Sequence, residues 1–224
     1  MRLFFISLLF LSCSATPDNG TMNENKINYV ALGDSYTICE GAKATEQWPT
    51  ILASHLTEKG IKTEMVANPS RTGWTTQDLI DNELPVFDGA NADFVTLCIG
   101  VNDWVQGVDK KIFAKNLQYI LDHVQKKLKD KSKIIVLTIP DFSASTVGPM
   151  YANGRDISAG IKEFNDVILA EAKKRNLKTV DLFEPSLKMK TDKSLEARDG
   201  LHPSAKEYAI WEKLILPVAT ELLK

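Results

Sequence analysis

Five short apolar runs, separated by longer stretches of helical period, constrain this chain more than any other feature. The runs are residues 28–32 (NYVAL), 62–67 (KTEMVA), 94–99 (FVTLCI), 133–139 (KIIVLTI) and 178–182 (KTVDL). Most are rich in β-branched residues and end in Gly, Asn, Pro or Asp, the pattern of strands buried on both faces of a parallel sheet. Between them, Trp48, Ile51, Leu52 and Leu56 share one face of a helix predicted over 48–59. Phe113, Leu117, Ile120, Leu121, Val124 and Leu128 do the same over 110–129, and Ile161, Phe164, Ile168 and Ala172 over 157–175. A last helical segment, 203–223, is expected to bend or break at Pro217, which supplies no N–H and clashes with the preceding turn. Strand and helix in alternation specify an α/β fold, a parallel sheet covered on both sides. The 224 residues suit one folded domain over 27–224, and no internal repeat, low-complexity tract or second-domain linker interrupts it.

The start of the chain reads differently. Met1 to Ser12, MRLFFISLLFLS, sets one positive charge before an unbroken apolar run with no amphipathic period. The run is too short to span a bilayer and has the form of an export signal, removed by about residue 15. Phe10-Leu11-Ser12-Cys13 resembles a bacterial lipoprotein processing box, with Phe10 and Ser12 where that pattern usually has Leu and Gly or Ala. Processing before Cys13 would leave a lipidated cysteine and a membrane attachment; cleavage after Ala15 would remove Cys13 altogether. Residues 16–26 (TPDNGTMNENK) are polar and turn-rich and read as a flexible tether. The expected location is outside the cytoplasm, periplasmic or membrane-anchored.

A formal net charge of −2 offers no basic excess to neutralise phosphates, which argues against a nucleic-acid partner. The lysines at 126, 127, 129, 131 and 133 read as a solvated helix end. Neither the cysteines (Cys13, Cys39, Cys98) nor the histidines (His55, His123, His202) have metal-ligand spacing, and no dedicated zinc site is expected.

In a parallel α/β sheet, ligands gather at the carboxyl ends of the strands. After the first strand stands Gly33-Asp34-Ser35-Tyr36: either the turn exposes the Ser35 hydroxyl, or Asp34 or Ser35 only caps a helix. After the second, Gly73 lies in a polar loop, as an ordinary turn residue or as a backbone N–H donor to a ligand. After the third, Gly100-Val101-Asn102-Asp103 offers the Asn102 amide as an oxyanion donor or, more plainly, a turn or cap. Near the end, Asp199-Gly200-Leu201-His202-Pro203-Ser204 places His202 in a loop just before a helix whose first turn suits Pro203. Asp199, three residues back, is in reach of the imidazole and would fix its tautomer. Serine is a weak nucleophile without a base, and an oxyanion needs donors aimed at it. A serine, a histidine with a carboxylate, and candidate donors all stand at strand ends.

With GDSY (33–36), the loop holding Gly73, GVND (100–103) and DGLHPS (199–204) in that order, the chain resembles the SGNH, or GDSL-type, hydrolase family of esterases and lipases. The resemblance implies a three-layer α/β/α sandwich of flavodoxin-like topology and no metal or organic cofactor. It implies Ser35 as nucleophile, His202 as general base and Asp199 as its partner. It implies an oxyanion hole made by the N–H groups of Ser35 and Gly73 and the Asn102 amide. Tyr36 replaces the leucine of the family name motif, and Cys39 stands where relatives commonly have Gly. An oxidising compartment leaves two states open for Cys39 and Cys98, a disulfide or two free thiols.

The expected activity is hydrolysis of a small-molecule, glycan or lipid ester through an acyl-serine, with a small acyl group favoured. Lysophospholipids, thioesters and acetylated carbohydrates are the alternatives. Trp48, Trp74, Trp104 and Tyr36 either line a sugar cleft or serve as core and rim aromatics. A binding lipoprotein on the same scaffold is the rival of a different class. A flavin or nucleotide binder finds no GxGxxG or Walker sequence to support it.

Overall fold

All five apolar runs form strands: β1 (Ile27–Gly33), β2 (Thr63–Ala67), β3 (Phe94–Cys98), β4 (Ile134–Leu137) and β5 (Lys178–Val180). The structure, a computed structural model, describes residues 26–224. The expected export signal, Cys13 and all of the tether but Lys26 lie outside the described residues. The strands pair in the order β2-β1-β3-β4-β5, every pair parallel. This is the flavodoxin-like doubly wound order. β3 is buried from end to end and β1 from Tyr29 to Gly33, which explains why neither alternates polar and apolar residues. Two polar groups buried in the middle of the sheet satisfy each other, the Tyr29 hydroxyl lying 2.7 Å from Thr96 Oγ1. The edge strands β2 and β5 are partly exposed.

Nine α-helices occur among the described residues: α1 (Ser35–Ile38), α2 (Trp48–Glu58), α3 (Thr76–Asp78), α4 (Leu84–Gly89), α5 (Val101–Val105), α6 (Lys110–Lys127), α7 (Ile157–Lys174), α8 (Phe183–Ser186) and α9 (Ala205–Leu223). From β1 the chain moves outward to β2, then returns past β1 to β3 and onward. Right-handed crossovers therefore put α2 on one face of the sheet and the helices that follow β2, β3 and β4 on the other. Packing agrees: α2 lies on α9, and α6 on α7. The expected stripes are the buried ones, Phe113, Leu117, Ile120, Leu121 and Val124 on α6, and Ile161, Phe164, Ile168 and Ala172 on α7. The helices α2, α6 and α7 stop one or two residues before the predicted end, and α9 stops at it. α6, for instance, closes where Leu128 turns extended at ψ 137°.

Two expectations about proline need correction. α9 runs unbroken through Pro217. Pro217 and Lys213, whose carbonyl can accept no N–H from proline, both face solvent, where water can reach that carbonyl. Pro203 is not in the first turn of α9. It pairs with Glu196 in an isolated antiparallel bridge, and Ser204 caps the helix by accepting the Glu207 N–H at 3.4 Å.

Gly33, last residue of β1, is required by close approach. A Cβ there would sit 2.2 Å from both the Cys98 carbonyl oxygen and Thr37 Oγ1. Gly33→Ala should therefore force β1 and β3 apart at the sheet edge and cost about 1–3 kcal/mol, read as a lowered urea midpoint with unchanged slope.

Candidate active site

The turn after β1 does two jobs that the sequence left as alternatives. Asp34 caps α1 by accepting the Tyr36 N–H at 3.0 Å, and Ser35, one residue on, is the first residue of the helix. The Ser35 hydroxyl forms no hydrogen bond among the described residues, although the residue is only 4% exposed. It opens instead on a cavity of about 60 Å³ lined by Ser35, Tyr36, Asn102 and His202 together with Val101, Val105, Phe142, Tyr151 and Leu201.

His202 reaches this cavity on a tightly closed loop. The Ala197 N–H donates to the His202 carbonyl at 2.8 Å and the Ser204 N–H to the Leu195 carbonyl at 2.7 Å. Inside the loop, Asp199 Oδ2 lies 2.6 Å from His202 Nδ1, while Asp199 Oδ1 accepts the N–H groups of Leu201 at 2.9 Å and His202 at 3.0 Å. Partial burial alone would raise the Asp199 carboxyl; the His202 ring and the two N–H donors outweigh it and hold the group below the usual carboxylate range. With Nδ1 turned to a carboxylate, Nε2 is the ring nitrogen left to act as base.

Asn102 sits on α5, one turn past the end of β3. One of its amide hydrogens goes to the Trp74 carbonyl at 2.9 Å, which leaves the second for a ligand in the cavity. The same contact draws in the loop that holds Gly73, whose carbonyl accepts from Gln106 Nε2 at 3.1 Å. Gly73 has φ 85°, a left-handed conformation that favours glycine. Ser35, Asn102 and His202 line the cavity; Gly73 does not, and Asp199 acts on it through His202.

Several residues at the site carried no signal of their own in the sequence. Asp103, in the GVND block, reads as a turn residue. In the fold it is buried and accepts the Thr76 N–H at 2.8 Å and the Thr76 hydroxyl at 2.5 Å, clasping α5 to the Gly73 loop. Arg155 closes the other end of α5, donating to the carbonyls of Trp104 at 2.7 Å and Val105 at 3.0 Å with its guanidinium 3.9 Å from the centre of the Trp104 ring. Trp104 and Trp48 are therefore buried structural aromatics, and of the four candidates for a sugar cleft only Tyr36 lines the cavity. Cys39 and Cys98 are both buried free thiols. Cys39 adopts the left-handed φ of 58° that a glycine would take at that place. Asp103→Ala should strand the buried Thr76 N–H and release the clasp, costing about 1–3 kcal/mol in urea unfolding.

The family model for the GDSL-like lipase/acylhydrolase family matches residues 31–210 of the chain. Among solved structures of similar fold is a psychrotrophic esterase, EstA, from Pseudoalteromonas sp., at 18% identity over 88% of this chain and 98% of that one, TM-score 0.68. The lipase/acylhydrolase from Enterococcus faecalis matches at 22% identity over 88% and 97%, TM-score 0.68. Axe2, an acetylxylan esterase from Geobacillus stearothermophilus, matches at 20% identity over 85% and 93%, TM-score 0.67. No curated protein matches the sequence. A match that runs from the middle of β1 into α9 takes in every strand and every block of the site, and the chain belongs to the GDSL-like lipase/acylhydrolase family, whose members hydrolyse ester bonds.

Proposed function

We propose that the protein is a serine esterase for small acyl groups, with Ser35 as nucleophile, His202 as general base and Asp199 as the carboxylate that orients it. The observation that carries this reading is the shared cavity: an unengaged serine hydroxyl and an imidazole pinned at 2.6 Å by a carboxylate face the same small space. No hydrogen bond yet joins Ser35 to His202, and such contacts commonly tighten only when substrate binds.

In the first step His202 takes the proton of Ser35 as its oxygen attacks the ester carbonyl. The tetrahedral oxyanion is held by the Ser35 N–H and the free amide hydrogen of Asn102; Gly73, which does not line the cavity, would add its N–H once substrate draws in the loop that Asn102 and Gln106 hold against α5. As the carbon–oxygen bond breaks, His202 passes its proton to the departing alcohol. Water then attacks the acyl-serine by the same route in reverse, releasing the acid and restoring Ser35.

The small-acyl reading rests on the cavity. Its volume of about 60 Å³ equals a few water positions. Val101, Val105, Phe142 and Leu201 close it with apolar surface. That space suits an acetyl group better than a long chain. That Axe2, of the same fold, is an acetylxylan esterase is in keeping with a small acyl group.

Hydrolysis of p-nitrophenyl acetate should vanish in Ser35→Ala, and Asn102→Ala should lose about 10²–10³ in kcat, the scale of one oxyanion donor. A wild-type rate retained by Ser35→Ala would end the proposal, and a loss below about threefold would remove Asn102 from the oxyanion hole. Among p-nitrophenyl esters, kcat/KM should fall from acetate to octanoate by about tenfold or more, and Phe142→Ala should shift the preference towards longer chains. Equal rates on all lengths would refute the small-acyl assignment.

A further inference from the structure

Behind the Ser35 turn lie two carboxyl groups that acyl transfer does not use. Asp34 is 1% exposed and Glu83 wholly buried. Each has one satisfied oxygen: Asp34 Oδ1 accepts the Tyr36 N–H at 3.0 Å, and Glu83 Oε2 accepts the Gly33 N–H at 3.0 Å. The other two, Asp34 Oδ2 and Glu83 Oε1, are buried with no hydrogen-bond partner. The backbone groups held in this way, Gly33 and Tyr36, bracket Ser35. Glu83 comes from a different part of the chain, as the last residue of a π-helical turn (Leu79–Glu83) between α3 and α4. Such turns recur at functional sites.

The titratable groups coupled to this pair are Asp103 of α5, which pushes Asp34 up, and the Cys98 thiol at the end of β3 and the hydroxyls of Tyr36 and of Tyr208 on α9, which Asp34 pushes up in turn. None is cationic. Two neighbouring carboxylates that lack both a counter-ion and a full set of donors cannot both stay ionised in such a place. An uncharged acid keeps a carbonyl-type oxygen to accept the Gly33 N–H and removes the repulsion.

Resting on the reading of Ser35 as nucleophile, we propose that Glu83 is a positioning residue that works as an uncharged carboxylic acid, tying the Gly33 N–H to the π-helical turn and so fixing the turn that presents the Ser35 hydroxyl. Burial is the main force that keeps the protons on. It pushes Asp34 up to about 8, against the pull of the Tyr36 N–H and with a push from Asp103. It pushes Glu83 up to about 9, against the Gly33 N–H and with a push from Asp34. For acids raised in the folded state, the stability they confer is fully present below their unfolded values near about 4 and is lost as pH rises through about 8 to 9. Ionisation there puts negative charge against the nucleophile turn.

The test is a profile of kcat and KM for p-nitrophenyl acetate from about pH 6 to about pH 9.5, corrected for spontaneous hydrolysis, with melting temperature followed over the same range. In the wild type kcat should fall by roughly tenfold above about pH 8 while KM stays within about twofold. Glu83→Gln keeps the acceptor and cannot ionise. It should hold kcat at pH 7 within about threefold of wild type, lose most of the alkaline fall, and melt with a flatter dependence on pH. Glu83→Ala should lose roughly tenfold in kcat at neutral pH.

Superposable alkaline profiles for wild type and Glu83→Gln would overturn the proposal. So would a Gln variant as impaired at pH 7 as the Ala variant, since charge would then be required. If Glu83→Ala does not fold, the Gln profile decides alone. Should the wild type prove inactive on these esters while folded, the esterase reading fails, and the comparison of melting curves still reports whether Glu83 carries its proton.

Discussion

The reversal of strand order at β1 is the constraint on which the site depends. The parallel ladder sets Gly33 of β1 opposite Cys98 of β3, so two neighbouring strands end together and send the chain to opposite sides of the sheet. The crevice between the departing segments holds α1 with Ser35 on one bank and α5 with Asn102 on the other. Backbone hydrogen bonds, not side-chain packing, therefore set the spacing of the candidate nucleophile and the candidate oxyanion donor. That is why Gly33 tolerates no side chain: the carbonyl of Cys98 occupies the place a Cβ would take. His202 arrives by an independent route, on a loop that follows β5 and is closed on itself before α9 begins.

The carboxyl groups near this crevice show how donors and water decide charge. Asp199 gathers contacts from the His202 ring and the N–H groups of Leu201 and His202, keeps partial access to solvent, and is held below the usual range. Asp34 and Glu83 each accept one N–H in full burial and are pushed the other way. Asp103 accepts two bonds from Thr76 and is still raised, because burial outweighs them. Negative charge at neutral pH is thus concentrated where it orients an imidazole. It is suppressed behind the serine, where it would oppose a developing oxyanion.

The sheet and the strand-end blocks were legible because both follow from local rules. A strand buried on two faces must be apolar throughout, and the turn that leaves it must carry Gly, Asn, Asp or Ser, so GDSY and GVND mark their own positions. The cavity walls were not legible. Val101, Val105, Phe142, Tyr151 and Leu201 look like any core residue in the sequence, and only the tertiary fold turns them to one space. Glu83 hides inside a segment of helical character, and nothing local says that its carboxyl will point at Gly33. The aromatics stayed open between two roles for the converse reason: Trp48 donates its indole N–H to the Tyr36 carbonyl at 2.9 Å and Trp104 lies under Arg155, core roles that composition does not separate from sugar stacking. Pro217 does not break α9, and its exposed place explains how the helix tolerates the lost bond, something the sequence pattern alone does not tell.

Pocket size and base position are not independent in this fold. Phe142 and Tyr151, which wall the cavity, belong to the segment after β4. That segment is bolted to the loop of His202: the Val147 N–H donates to the Gly200 carbonyl at 2.7 Å, and Glu196 Oε2 accepts the Thr146 N–H at 2.7 Å. Gly200 lies between Asp199 and His202, so a change that shifts the wall also pulls on the pair that must aim the imidazole. The oxyanion side is tied to the same wall, because Phe142 meets Trp104 of α5 edge-on with ring centres 5.7 Å apart and Arg155, on the same segment, holds the end of α5. The size of the cavity in this scaffold is therefore coupled both to the alignment of the His202 imidazole and to the placement of the Asn102 amide. Substitutions that enlarge the cavity are expected to act on turnover through His202 and Asn102 together.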